Sequence, residues 1–240
     1  MAPKSTPGRY LRFRRLLVRW YRRHGRDLPW RRTRDPYRVL VSEIMLQQTQ
    51  VSRVEAYYHR FLDRFPSVRD LAAAPPRAVR ESWEGLGYYR RAANLHLLAR
   101  EVMREHDGRI PADPAELVRL PGVGRYTAGA VASFAYERPA AAVDTNVARV
   151  IRRAFHPPSR DAAGASRRAG RGRSSPRAAA ARRIWETAAA LVPRRGKAAW
   201  TFNQAIMELG ATVCTARIAK CGECPVRREC GTGKSVNGKQ

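Results

Sequence analysis

Lysine and acidic residues are both scarce in this chain of 240 residues. Twenty Asp and Glu stand against 47 Lys and Arg, which gives a formal net charge of +27. An excess of this size predicts a polyanionic partner, with an affinity that falls as the salt concentration rises. Because no lysine occurs between Lys4 and Lys197, most of the chain offers no side-chain amine as a nucleophile. The remaining lysines are Lys220, Lys234 and Lys239.

Long apolar runs are also missing. No stretch of 18 apolar residues occurs, and the N-terminal sequence MAPKSTPGRYLRFRR has no hydrophobic signal region. These absences predict a protein with no membrane partner, located in the cytoplasm and, given its charge, at the nucleoid.

Cysteine occurs only near the C-terminal end, which excludes a disulfide framework spread over the fold. Four thiolates in the pattern C-x6-C-x2-C-x5-C can bind a [4Fe–4S] cluster or a tetrahedral zinc ion, and the spacing alone does not choose between them. The four residues are Cys214, Cys221, Cys224 and Cys230.

The apolar periodicity is helical nearly throughout, so the predicted fold class is all-α. One helix, begun by Asp35 and Pro36 and running to about Gln48, is apolar nearly all round and should lie deep in the fold. Glu43 is its single acid. A carboxylate in such surroundings is either paired with a cation such as arginine, protonated, or held for chemistry.

A tight turn joins two further predicted helices at LPGVG, residues 120 to 124. Proline ends the first helix, and the glycines permit backbone angles that a side chain would disfavour. The backbone of Gly122, Val123 and Gly124, with the N-terminus of the next helix, can bind a DNA phosphate. The alternative is a simple turn between two core helices.

A second glycine-rich turn, GLGYY, carries two tyrosines beside several arginines. A tyrosine on such a turn suits insertion into a base stack. The alternative is packing in the core, which we expect for one of Tyr88 and Tyr89.

The segments LPWR, SE-MLQQT, GLGYY, LPGVG, VD-N and the four cysteines occur here in the order typical of MutY-type adenine-DNA glycosylases. Over roughly residues 16 to 232 the chain resembles this branch of the helix-hairpin-helix, endonuclease III-like superfamily. The resemblance implies two helical domains with a cleft between them. Residues 28–138 would form a barrel containing the hairpin, and 10–27 with 139–230 would carry an iron–sulfur cluster loop. Residues 1–9, the basic insert 156–177 and the tail 231–240 are expected to be disordered or loose.

The same resemblance implies a monomeric, monofunctional base-excision enzyme. It would hydrolyse the N-glycosidic bond of adenine opposite 8-oxoguanine or guanine in double-stranded DNA. Glu43 would be the general acid, Asp144 would stabilise the sugar cation, and Asn146 would position Asp144 or the water. Tyr126 stands where strand-cleaving relatives have a lysine. The implied base-stack residues are Gln48 and Tyr88; the implied purine-pocket residues are Arg26, Leu28, Trp30, Arg31 and Glu208; and the four cysteines would bind a [4Fe–4S] cluster.

Two departures from the family pattern keep alternatives open. Thr145 stands where the family usually has glycine, and the sequence ends just after the cysteines, where typical members continue into a domain that recognises 8-oxoguanine. Thymine-DNA mismatch glycosylases share LPGVG and the Asp loop, so T:G or U:G processing is the first alternative. The QQTQ run favours adenine. A lesion-binding protein without catalysis is the second alternative, and the presence of both Glu43 and Asp144 argues against it.

Overall fold

A computed structural model of the chain describes residues 7–157 and 175–235. Within these ranges the structure is helical and has no strand element beyond one isolated bridge between Cys214 and Ala219, which confirms the all-α prediction. The α-helices are α1 Pro7–His24, α2 Pro36–Leu46, α3 Val51–Arg64, α4 Val68–Ala73, α5 Pro76–Ser82, α6 Arg90–Glu105, α7 Pro114–Leu117, α8 Arg125–Phe134, α9 Thr145–Phe155, α10 Pro176–Leu191, α11 Gly196–Thr212 and α12 Gly231–Ser235.

Side-chain caps explain where several of these helices begin. The Asp35 carboxylate accepts a hydrogen bond from the Arg38 N–H at 2.9 Å, and Pro36 occupies the first helical position, as predicted. Ser67 and Asp70 cap α4 reciprocally, each side chain accepting from the other's backbone N–H. The cap of α9 is Asp144 itself. A residue predicted to be catalytic therefore also caps the start of a helix.

The chain divides into two compact units. The hairpin unit comprises Asp27–Ala142 with Arg195–Trp200, and the cysteine unit comprises Val143–Arg194 and Thr201–Gln240 with the chain up to Arg26. In the hairpin unit, α2 packs against α3, α6 and α8. Its residues from Val39 to Met45 are all buried, as its apolar sequence predicts.

In the cysteine unit, aromatic rings join α1 to α9. The rings of Tyr10 and Phe13 lie 5.2 and 5.0 Å from that of Phe155. Arg9 adds polar contacts, because its Nη2 donates to the carbonyl oxygens of Ala154 and Glu229, both at 2.7 Å. These contacts hold the start of α1 against α9.

Both described ends of the chain differ from the expectation of loose termini. Helix α1 begins at Pro7, so residues 7–9 are helical because proline suits the first turn and Arg9 is bound by carbonyls. Residues 231–235 form α12, and the Thr232 hydroxyl donates to the Arg153 carbonyl at 2.8 Å. Of the predicted basic insert 156–177, residues 158–174 lie outside the described residues, and α10 already begins at Pro176.

None of the described helices combines the length and the apolar character that crossing a bilayer requires.

Candidate active site

Glu43 is buried in the middle of α2, with 3% of its surface exposed. Its Oε2 accepts a hydrogen bond of 2.7 Å from the hydroxyl of Tyr126, which lies in the first turn of α8. The two residues predicted for one site are therefore in direct contact. The phenol meets part of the hydrogen-bonding requirement that burial imposes on a carboxyl group.

Asp144 is held by groups of its own loop. Its Oδ1 accepts from the Val147 N–H at 2.6 Å, and its Oδ2 accepts from the Asn146 side-chain amide at 2.9 Å. Burial raises the pKa of Asp144 above its ordinary value, while these hydrogen bonds and the charge of Arg149 act to lower it. The structure thus brings Asp144 and Asn146 together, as predicted, and exposed Thr145 begins α9 between them.

Arg149, which the sequence analysis did not single out, supports Asn146 from the next turn of α9. Its Nη2 donates to the Asn146 side-chain oxygen and to the Gly210 carbonyl, both at 2.7 Å, and its Nε donates to the Cys214 carbonyl at 2.8 Å. A Cβ atom at Gly210 would lie 2.7 Å from the Asn146 Cβ, which is closer than real Cβ atoms approach. Position 210 therefore has to remain glycine for Asn146 to stay where it is.

The two predicted base-stack residues lie on separate turns of the hairpin unit. Gln48 follows α2 and has φ +57°, and Tyr88 precedes α6 and has φ +48°. Both are exposed, Tyr88 to 61%. Positive φ is uncommon for residues other than glycine, so the surroundings must hold both turns in place. Tyr89 is also exposed, so the expectation that one tyrosine would be buried is wrong; the Arg80 guanidinium lies 5.0 Å from its ring instead.

Arg91 is the second arginine that the sequence analysis missed. It is 9% exposed, and its guanidinium hydrogen-bonds to the turns before α3 and α6. Burial lowers the pKa of this guanidinium from its ordinary value. A helical signal was available, because Arg91 shares the buried face of α6 with Leu95, Leu98 and Val102 at helical spacing.

The residues predicted to line a purine pocket fall in both units. In the cysteine unit, Arg26 Nε and Nη2 donate to the two carboxylate oxygens of fully buried Glu208 at 2.6 and 3.2 Å. In the hairpin unit, Leu28 and Trp30 are buried, and the Trp30 ring lies 5.5 Å from that of Tyr58. Arg31, in the same short 3-10 turn as Trp30, is half-buried.

The hairpin turn has the predicted conformation. Gly122 has φ +76°, and both Gly122 and Gly124 are exposed. Val123 is buried, and its N–H donates to the Leu120 carbonyl at 3.1 Å within the turn. The Val123 N–H is therefore engaged within the turn, and α8 begins two residues later at Arg125.

None of the four cysteines is in a disulfide bond, and all four are half-buried. Burial raises the pKa of Cys224 to about 11, and the charges of the other three cysteines add to the rise, so the four sulfurs influence one another. Arg153 donates to the Cys214 sulfur at 3.3 Å, and the Gly233 N–H donates to the Cys230 sulfur at 3.4 Å. In the described ranges, no three Cys, His, Asp or Glu side chains are arranged to hold a metal ion.

Residues 41–173, more than half of the chain, match the family model for the HhH-GPD superfamily base excision DNA repair protein. The chain belongs to this superfamily. The helix-hairpin-helix assignment made from LPGVG and its neighbouring motifs is thereby confirmed.

Several curated relatives within the superfamily are similar over almost the whole chain. The adenine DNA glycosylase of Mycolicibacterium smegmatis is 43% identical over 93% of this chain, which covers 77% of that protein. The human adenine DNA glycosylase is 42% identical over 95% of the chain and is covered to 40%.

Solved structures agree on the superfamily fold. A thermostable thymine-DNA glycosylase aligns with a TM-score of 0.80 and 30% identity, covering 95% of this chain and 98% of that one. A trapped endonuclease III–DNA covalent intermediate aligns with a TM-score of 0.74 and 24% identity, over 97% of this chain and 99% of that one. At that identity the second likeness concerns the fold alone.

Proposed function

We propose that the chain is a monofunctional adenine-DNA glycosylase that removes adenine mispaired with 8-oxoguanine or guanine. The observation that carries the proposal is the buried Glu43 carboxyl held by the Tyr126 hydroxyl. A group so placed suits protonation of a leaving purine. The relatives named adenine DNA glycosylase, at 42 to 43% identity, support adenine as that purine.

The reaction breaks the bond between the base nitrogen and C1′ of the deoxyribose, and water takes the place of the base. We assign to Glu43 the proton that leaves with adenine. We assign to Asp144 the negative charge that stabilises the sugar as it becomes cationic. The Asn146 side-chain amide donates a hydrogen bond of 2.9 Å to the Asp144 carboxylate and keeps it in one orientation. Water then adds to C1′ and releases a proton to solvent, from which Glu43 regains the proton that it gave to adenine, and the hydrolysis is complete.

The enzyme should not cleave the strand, because that step needs an amine to attack the sugar. Tyr126 is engaged with Glu43, and no lysine occurs between Lys4 and Lys197. Borohydride reduction during turnover should therefore trap no covalent DNA adduct. Efficient trapping with wild-type protein would refute a monofunctional mechanism.

We propose that the partner is mismatched duplex DNA, bound by a monomer. The exposed hairpin around Gly122 and Gly124 would bind the phosphate backbone, and Gln48 and Tyr88 would enter the stack when the base is flipped. The Arg26–Glu208 pair and the segment from Leu28 to Arg31 keep the base-recognition role that family resemblance gives them. The net charge of +27 supports DNA, and hence the nucleoid, as the place of action.

We also propose that the four cysteines bind a [4Fe–4S] cluster with a structural role. In such a cluster each thiolate binds a different iron, so the four sulfurs need not converge on one point. Hydrogen bonds from Arg153 and Gly233 to two of the sulfurs suit thiolate ligands. The bound group would brace a loop that carries Arg217, Lys220, Arg227 and Arg228. Iron, zinc and sulfide analysis of purified protein tests this, and one zinc without sulfide would refute it.

The deciding experiment is single-turnover base excision, with abasic sites revealed by alkali. The duplexes carry A opposite 8-oxoguanine, A opposite G, T opposite G, or U opposite G, and each is treated with wild-type or Glu43→Gln protein. We expect adenine release that depends on Glu43. Tight binding with no release from any duplex would instead indicate a lesion-binding protein.

Thymine or uracil excision is the second candidate function. It is favoured by the likeness to the thymine-DNA glycosylase, which has the higher TM-score of the two solved structures described above. Release of T or U without release of A would establish it. The higher identity to the relatives named for adenine places it second.

A further inference from the structure

One buried guanidinium joins the two turns of the hairpin unit that carry Gln48 and Tyr88. Arg91 Nη1 donates to the carbonyl oxygens of Ile44 and Met45 at 3.1 and 2.8 Å, and also to that of Gln47. These carbonyls belong to the end of α2, where a helix leaves its last acceptors without partners. This nitrogen therefore caps the C-terminus of α2 directly before Gln48.

The other terminal nitrogen reaches both turns. Arg91 Nη2 donates to the Thr49 hydroxyl at 3.0 Å, and to the carbonyl oxygens of Leu86 and Gly87 at 3.2 and 3.1 Å. Gln47 and Thr49 flank Gln48, and Gly87 directly precedes Tyr88. Three of the six acceptor residues are thus the immediate neighbours of Gln48 and Tyr88, both of which have positive φ.

This set of hydrogen bonds requires arginine, and another cationic side chain such as lysine could not make it. Only the planar fork of a guanidinium presents several donors in fixed directions, whereas an ammonium group is a single point charge. No ion pair to Arg91 occurs in the described ranges, and its buried Nε has no hydrogen-bond partner there. Its Cζ also lies 5.5 Å from the Trp83 ring and 5.6 Å from the ring of Tyr88 itself. Burying a cation without a counter-ion is costly, which favours a role for this residue beyond stability of the fold.

We propose that Arg91 is a positioning residue that sets the Gln48 and Tyr88 turns in one arrangement before DNA binds. This rests on the proposed function, in which both side chains enter the base stack. Each strained turn alone would sample other backbone conformations. With both tied to one guanidinium, the two side chains are presented at a fixed separation, and less ordering remains to be done on binding.

The test compares Arg91→Lys with Arg90→Lys. Both changes keep the charge, and exposed Arg90 is the adjacent residue. The first readout is the single-turnover rate of adenine release at saturating protein. The second is the fluorescence of 2-aminopurine placed beside the mismatch, measured in a Glu43→Gln background so that insertion is followed without excision. Affinity for undamaged duplex and the melting midpoint are measured in parallel.

We expect Arg91→Lys to lower the excision rate about tenfold and to remove most of the fluorescence rise, because several charge-assisted hydrogen bonds are lost. Arg90→Lys should leave both within about twofold, and affinity for undamaged duplex should change equally little in either variant. A lower melting midpoint with an unchanged rate and fluorescence would make Arg91 merely structural and overturn the proposal.

Thr49→Val supplies an independent test if Arg91→Lys does not fold. It removes one acceptor of Arg91, together with a 3.4 Å hydrogen bond from the Thr49 hydroxyl to the Gln47 carbonyl, and preserves the shape of the side chain. A fall of about threefold in rate and a smaller fluorescence rise are expected, with Thr49→Ser restoring both. Wild-type values in Thr49→Val would overturn the proposal. If wild-type protein releases no adenine, the proposed function fails on that result alone, and the fluorescence comparison still decides the role of Arg91.

Discussion

Glu43 is buried and Asp144 is half-buried, and the chain holds the two carboxyl groups in opposite ways. Glu43 lies in the interior of α2, where the backbone groups are already paired, and its described partner is a side chain from another helix. Asp144 precedes α9, where free backbone N–H groups are available, and it binds one of them together with Asn146. A helix interior therefore leaves a carboxyl dependent on distant side chains, whereas a helix start supplies donors locally.

This comparison predicts that substitution of Glu43 causes the largest loss of excision rate. Glu43→Gln keeps the shape and the acceptor for Tyr126 but removes the proton that we assign to the leaving base. We expect the single-turnover rate to fall about 10³-fold, within the range of general acid catalysis. The control is Glu105→Gln, at an exposed residue paired with Arg104. A rate within tenfold of wild type would refute the assignment.

Asp144→Asn should lower the single-turnover rate about 10²-fold, because it removes the negative charge that we assign to stabilising the sugar cation. Asparagine also caps helices, so the melting midpoint should stay near that of wild type. Asp144→Ala removes the cap as well and should lower the free energy of unfolding by about 1 kcal/mol. Equal stability of the two variants, measured by chemical denaturation, would contradict the capping role of this carboxylate.

Tyr126→Phe tests the surroundings of Glu43 without changing those of Asp144. It removes the hydroxyl that donates to Glu43 and leaves the Asp144 loop intact, and we expect about a tenfold fall in rate. Tyr136→Phe is the matched control, since that hydroxyl donates to the Ile110 carbonyl instead. Equal single-turnover rates for the two variants would contradict the importance of the Glu43 contact.

The smallest expected effect is a shift in pH dependence. Burial raises the pKa of Asp144, and the Asn146 amide opposes that rise by stabilising the ionised form. In the proposed mechanism Asp144 acts in its ionised form, so activity should be lost as pH falls through this pKa. Asn146→Ala removes a donor and should raise the pKa further, moving the acid limb of the rate profile upward by about half a pH unit. A shift to lower pH would contradict this account; Tyr126→Phe should leave this limb in place.

The predictable parts of this molecule depend on local rules. The start of α2 at Asp35 and Pro36 follows from capping chemistry, and the burial of Glu43 follows from the apolar residues around it. The left-handed conformation of Gly122 follows from the turn sequence. Each of these rests on residues within a few positions of one another.

What the sequence did not reveal depends on contacts between distant residues. Helix α1 begins at Pro7 because Arg9 reaches carbonyls near the other end of the chain. Tyr89 lies at the surface, where the Arg80 guanidinium is 5.0 Å from its ring. In the pair Arg90 and Arg91, helical spacing indicates that Arg91 is the one on the buried face, but it does not reveal the α2 carbonyls that the guanidinium binds. Spatial partners of this kind are not encoded in spacing.

The absent side chain at position 210 also bears on how natural variants of such a chain are interpreted. Position 210 is far from Asp144 in sequence and carries no chemical group that could take part in a reaction. Because its backbone lies against Asn146, a substitution by alanine would displace the neighbour of the acid without touching the acid. A survey of variants that considered only reactive side chains would wrongly class the substitution at position 210 as harmless.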